Sequence, residues 1–259
     1  MRSLIVCLAM MATLLANAPA RADSITITYG APGVLTPSAI VMHYATTIGT
    51  ESFDGRTSGS FSTSFNSAGT ITGTYSGGTI ASADLFGGAG GTGRYIEALA
   101  NTAGYTITLA TSGIPGVNYF GYWLSAVDAG NQLTFKRAGT VVGTYSPSKL
   151  AAVLGDCSAS NAYCGNPNTA FRGQDRGEAF TFVNFVDLNG FFDEIDVFEK
   201  PASGNYESDN HTVGYCANTA ACVNGTVVPE PMSAMIVVAG VAGLMFIRFR
   251  QGRREMKVR

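Results

Sequence analysis

The sequence predicts a mainly β protein: an antiparallel β-sandwich of jelly-roll-like type with one short helix, followed by a C-terminal transmembrane helix. Three observations carry that prediction. Short segments alternate polar and apolar residues, the period of a strand with one buried face. Glycine is abundant, 32 residues in 259, and only 13% of residues are charged, so turn signals separate those segments at close intervals. Near the end of the chain, residues 232–247 carry no charge and a basic cluster follows.

The chain opens on a leader. Arg2 supplies a minimal positive region, residues 4–15 an apolar core, and Ala20-Arg21-Ala22 a small-x-small site before Asp23. That order predicts a secretory signal peptide over residues 1–22, cut by signal peptidase. An extracellular β-sandwich domain is then expected over 23–227.

Ser24-Ile-Thr-Ile-Thr-Tyr29 alternates as a half-buried strand should. Residues 50–80 are rich in Gly, Ser and Thr with isolated aromatics, which suits short strands on an exposed sheet or a mobile loop. Gly88, Gly90 and Gly93 satisfy GxGxxG, but their flanks are polar and β-like, so a glycine turn is expected rather than a dinucleotide site. Tyr105-Thr-Ile-Thr-Leu109 alternates again. In the aromatic stretch around Trp123, Tyr119 and Trp123 share one face while Phe120, Tyr122 and Leu124 share the other. A strand apolar on both faces belongs at the centre of a sandwich. The functional alternative is a glycan-stacking platform built from Tyr119, Tyr122 and Trp123.

Residues 131–135 and 140–145 flank Lys136-Arg-Ala-Gly139 as a hairpin. Ser146 as N-cap, Pro147 at the first helical position and Gly155 as the stop predict a helix over 147–154. Dense β character returns over 178–188, 192–199 and 206–213. The expected alternation over 192–199 places Ile195 and Val197 opposite Glu194 and Asp196.

Without residues 1–22 and the tail beyond Pro231, the chain keeps eight basic and 17 acidic side chains, a net charge of −9 against −2 for the whole. Such a domain is unsuited to nucleic acid, whose phosphates demand Lys and Arg. It can attract Ca²⁺, which takes oxygen donors, and no other cofactor is implied. Asp193, Asp196, Glu207, Asp209 and Asn210 are the candidate calcium donors; the alternative is a solvated acidic strand edge that discourages edge pairing. His211 reads as a hydrogen-bonding strand residue or a metal ligand. Of five cysteines, Cys7 leaves with the leader. Cys157, Cys164, Cys216 and Cys222 are read as disulfides of an oxidising compartment, with Cys157/Cys164 and Cys216/Cys222 the natural local pairs among three possible connectivities and zinc as the alternative.

The tail, residues 228–259, has three parts: Pro229-Glu230-Pro231, the apolar run 232–247, and Arg248, Arg250, Arg253 and Arg254. As a helix the run spans roughly 24 Å, near a bilayer core, and the arginines act as a cytoplasmic stop. The prolines keep the preceding chain extended. Together these parts resemble the PEP-CTERM signal of exosortase-processed bacterial surface proteins. That resemblance implies an inner-membrane intermediate, cleavage by exosortase, and release to the surface or extracellular matrix of a Gram-negative bacterium that makes exopolysaccharide.

A narrower resemblance, to a subgroup of such proteins, rests on Phe86-Gly-Gly-Ala-Gly-Gly-Thr-Gly93, Tyr119-Phe-Gly-Tyr-Trp-Leu-Ser-Ala126, Asn131-Gln-Leu-Thr-Phe135, Gly165-Asn-Pro167, Phe182-Val-Asn-Phe185, Phe192-Asp-Glu-Ile195 and Glu207-Ser-Asp-Asn-His-Thr212. It supplies no catalytic residue. The sequence itself offers no GxSxG elbow, and only His43 and His211 are histidines. The expected function is therefore a non-enzymatic surface or matrix protein. The alternative is a carbohydrate-binding module for exopolysaccharide, calcium-assisted or not. A secreted glycosidase using acidic pairs such as Asp193/Glu194 or Glu207/Asp209 is the third reading.

Overall fold

A computed structural model describes residues 24–228 apart from 129, 147, 158, 159, 202 and 203. The expected leader, the Pro229-Glu230-Pro231 motif, the apolar run and the basic tail lie outside the described residues. Among the described residues, no helix is long and apolar enough to cross a membrane.

In chain order the strands are β1 (Ile25–Tyr29), β2 (Thr47–Glu51), β3 (Phe61–Ser64), β4 (Ile71–Gly77), β5 (Thr79–Ser82), β6 (Arg94–Ala98) and β7 (Tyr105–Thr111). They continue with β8 (Tyr119–Leu124), β9 (Asn131–Arg137), β10 (Thr140–Tyr145), β11 (Thr181–Asp187), β12 (Glu194–Glu199), β13 (Tyr206–Tyr215) and β14 (Thr226–Val227). All pair antiparallel in two sheets. The first runs β14-β1-β11-β8-β13-β6-β5, with β2 also on β13; the second runs β10-β9-β12-β7-β4-β3. This is a mainly β, antiparallel, two-sheet arrangement of the sandwich kind.

The alternation seen in sequence decides which side chains meet between the sheets. Phe120, Tyr122 and Leu124 of β8 join Val183 and Phe185 of β11 on one side; Leu133, Phe135, Ile195, Val197 and Ile107 face them from the other. Phe120, Phe135 and Phe185 have centroids 5.0 to 6.2 Å apart, within the range of favourable ring pairs. The other face of β8 is covered too. Trp123 packs on Phe180 and Phe182, while Tyr119 lies with Val41 and the Cys216–Cys222 bridge. Gly121, between them, leaves room for the Phe182 ring: a Cβ there would sit 2.8 Å from it.

The expectation of one short helix in the domain is corrected to three α-helical segments among the described residues: α1 (Ala39–Tyr44), α2 (Ser148–Leu154) and α3 (Thr219–Cys222). α1 and α3 are too short to show a helical period in sequence. α1 has a recognisable start in Ser38, whose hydroxyl accepts from the Val41 N–H at 3.3 Å. Within residues 50–80 the chain forms β3, β4 and the adjoining ends of β2 and β5, joined by turns. The 131–145 hairpin closes on two residues, Ala138 and Gly139, both at positive φ, as the twist of a two-residue turn requires. Cys157 pairs with Cys164 and Cys216 with Cys222, with Cα separations of 5.4 and 6.4 Å.

Candidate functional site

The five candidate calcium donors do not converge. Asp193 and Asp196 belong to the second sheet: Asp193 accepts the Ala138 N–H of the hairpin turn, and Asp196 pairs with Lys136 at 2.5 Å. Glu207, Asp209 and Asn210 belong to the first. Asp209 accepts from the Ala89 N–H at 2.7 Å, and the Asn210 amide donates to the Leu35 carbonyl. Among the described residues, no three Asp, Glu, His or Cys side chains are grouped to hold one metal ion. The expected five-residue calcium site is therefore corrected: the consecutive strands β12 and β13 lie in opposite sheets, so residues near in sequence are separated in space.

The stacking platform is also corrected. Tyr119, Tyr122 and Trp123 are at most 1% exposed, so no sugar ring can reach them in this fold. Their role is packing. His211 is sealed in the interior, its ring nitrogens 3.1 Å from the Tyr75 hydroxyl and 3.0 Å from Ser208 Oγ. Burial pushes its pKa down to about 3, so it is neutral. Asp193 and Glu194 serve different partners, the hairpin turn and Lys136.

What the fold does bring together is a different acidic set. A cavity of about 440 Å³ lies at one end of the first sheet, where Asp128, Glu178 and Glu207 meet with Asn205 and Phe86. Glu207 projects from β13 directly opposite Glu97 of β6, so the two carboxyls share a face of the sheet. Asp128 arrives just beyond β8, after Ala126 at φ 49° turns the chain. Gly204 makes room for it: a Cβ there would lie 2.1 Å from Asp128 Oδ2. Glu178 precedes β11, held by its carbonyl, which accepts from the Gly165 N–H at 3.0 Å.

The glycine segment frames this site. Gly88, Gly90, Gly91 and Gly93 all have positive φ, conformations that side chains resist, and they wind into a 3-10 turn. No helix follows, in keeping with a turn rather than a phosphate loop. Asn166 donates to the Leu85 carbonyl at 3.0 Å, and Asn168 both donates to the Gly88 carbonyl and accepts from the Gly90 N–H at 2.9 Å. With Asp209 holding Ala89, the segments 86–93, 165–167 and 207–212 converge around one loop. Phe86, 44% exposed, stands at the cavity.

The electrostatics are one-sided. Among the described residues, no Lys, Arg or His lines the cavity. Glu207 is 6% exposed. Burial pushes its pKa up to about 8; a hydrogen bond from its own backbone N–H opposes this, and Glu97, Asp128 and Glu178 add smaller upward pushes. Glu178 is likewise pushed to about 8, by burial and then by the contact with Asp175. Asp128 is raised by burial and Asp175, and Glu97 by burial, with Asn205 (2.9 Å) and Asp84 acting in opposite directions. Near neutral pH Glu178 and Glu207 therefore retain their protons in the empty cavity. Such a cavity can take a cation, or hydrogen-bond hydroxyls through carboxyls that both donate and accept.

Of this set, sequence reading singled out only Glu207. The overlooked signal is an acidic residue inside an otherwise apolar β stretch, as Glu97 is in Tyr95-Ile-Glu-Ala-Leu99. Compared with known proteins, the chain matches no family model and no curated relative.

Proposed function

We propose that the protein is an exported, non-enzymatic component of a bacterial surface or matrix, carried out by its leader and released through exosortase cleavage near Pro229-Glu230-Pro231. The single observation that carries this reading is the cysteine pairing. All four cysteines of the 23–227 domain are joined in two local bridges, the habit of proteins that mature in an oxidising compartment. The domain is read as a jelly-roll-like sandwich, held transiently at the inner membrane by the 232–247 helix. Mass spectrometry of the native exported protein tests it: neither residues 1–22 nor residues 248–259 should be present. An intact C-terminal peptide would instead indicate a permanent anchor.

Carbohydrate binding is the second reading, favoured by the cavity, where carboxyls and the Asn205 amide lie beside the half-exposed Phe86 ring. A glycan array run with and without EDTA separates the two; a wholly silent array removes the second reading. Turnover of a polysaccharide that Glu178→Gln or Glu207→Gln abolishes would replace both with a glycosidase.

A further inference from the structure

The acidic cavity carries an inference that is independent of export and sorting. Three features define its occupant. Glu207 is more than nine-tenths buried and lines the cavity; its carboxylate is bonded by its own backbone N–H, but no cationic side chain among the described residues answers its charge. Buried carboxylates are ordinarily paired or hydrogen-bonded, since an isolated buried charge is costly. Asp128 and Glu178 face the same space, and no basic side chain among the lining residues answers them. The missing group is thus a positive charge.

The size and lining argue against a bare ion. A volume of about 440 Å³ lies in the range of small-molecule sites. No three donors are grouped tightly enough for a metal among the described residues. The rest of the lining is mixed: the Asn205 amide, which donates one N–H to Glu97 at 2.9 Å and accepts the Ala100 N–H at 3.0 Å, keeps a second N–H for a ligand, and Phe86 with Ala100 and Ala126 offers apolar surface. An ammonium group on a polyhydroxylated ring matches each of these, with charge for the carboxylates, hydroxyls for the amide and a C–H face for the phenyl ring.

We propose that this cavity binds a protonated amine carried on a ligand of monosaccharide size, an amino sugar either free or as a unit of a polymer. Glu178 and Glu207 hold the ammonium, Asp128 adds to the negative potential of the same cavity, and Phe86 packs against the ring. Glu97, Asp175 and Asp84 stand behind them and add negative potential. Binding the cation favours the ionised carboxylates, so it expels protons.

Isothermal titration of the full chain, purified in detergent at pH 7, tests this with glucosamine, N-acetylglucosamine, a chitosan oligomer, putrescine and Ca²⁺. Glucosamine should bind with proton release, read from heats in buffers of different ionisation enthalpy, and N-acetylglucosamine should bind at least tenfold more weakly. Glu207→Gln and Glu178→Gln should each weaken glucosamine by about tenfold or more, the usual weight of a charged hydrogen bond. Glu194→Gln, on the other sheet, should leave it unchanged. Tighter binding of the chitosan oligomer would identify a polymer unit as the source; equal binding per amine would identify the free sugar. The proposal is overturned if glucosamine fails to bind, if the acetylated sugar binds equally, or if putrescine or Ca²⁺ binds this cavity more tightly.

Discussion

Glu51 and Glu207 are almost equally buried, 7% and 6% exposed, and both are tied to β13: Glu51 sits opposite His211, and Glu207 lies in the strand itself. Their surroundings differ. Glu51 receives Arg56 at 2.7 Å and the Phe53 N–H at 2.9 Å, and these bonds outweigh the upward push of burial, so its pKa falls below the ordinary value. Glu207 has no such fork, and burial reinforced by other acids wins. β2 therefore carries a carboxylate completed by the fold, and its neighbour β13 carries one left open towards a cavity. A buried acid marks a site only when the protein has not supplied its counter-charge.

The largest effect comes from breaking the completed pair. Arg56→Ala should destabilise the protein by about 2–3 kcal/mol in urea unfolding at pH 7, because Glu51 stays buried without its cation. Glu207→Gln should act in the opposite sense, raising stability by about 1–2 kcal/mol at pH 8.5 and far less at pH 5. If it destabilises at pH 8.5, Glu207 has a counter-charge after all and the contrast fails.

The pH dependence follows with a definite sign. Glu178 and Glu207 keep their protons to about pH 8 when folded but lose them near 4.5 when unfolded, so stability drains away as pH rises between those values. His211, neutral when folded and titrating near 6.5 when unfolded, removes stability as pH falls below 6.5. Asp209, raised by burial to about 7, adds to the same slope up to that pH, and above it Glu178 and Glu207 carry the decline. The melting temperature should decline from pH 6.5 to 8.5, and the double variant of Glu178→Gln with Glu207→Gln should flatten that decline.

The smallest effect belongs to the exposed control. Lys136 bridges Glu194 at 2.7 Å and Asp196 at 2.5 Å on the outer face of the second sheet, with all three side chains partly in water. Lys136→Met should cost less than about 1 kcal/mol, the usual worth of surface ion pairs. It should leave the slope between pH 6.5 and 8.5 unchanged.

The contrast also explains what the sequence could and could not disclose. Alternation made β1, β7 and the β9–β10 hairpin legible, since burial of one face is written locally with period two, while β8 declared itself by an aromatic-rich run buried on both faces. α1 and α3 escaped because four to six residues show no helical period, and β6 because its glycine-rich prelude masked it. The site was less legible still. Glu207 drew notice among sequence neighbours Asp209 and Asn210 and was grouped with Asp193 and Asp196, which the chain carries to the other sheet. Its real companions, Asp128 and Glu178, lie 79 and 29 positions away and arrive from separate strand ends. Only pairing register and loop placement bring them together, and neither is a local property.

The central claim is that the cavity acids lack a counter-charge, and carboxyl-carbon NMR tests it most directly. Following the Glu178 and Glu207 side-chain resonances of the unliganded protein from pH 4 to 9, the account predicts midpoints near 8 for both, with Glu51 below the ordinary value. Midpoints near 4.5 for Glu178 and Glu207 would contradict it, by showing that water or protein already stabilises their charges.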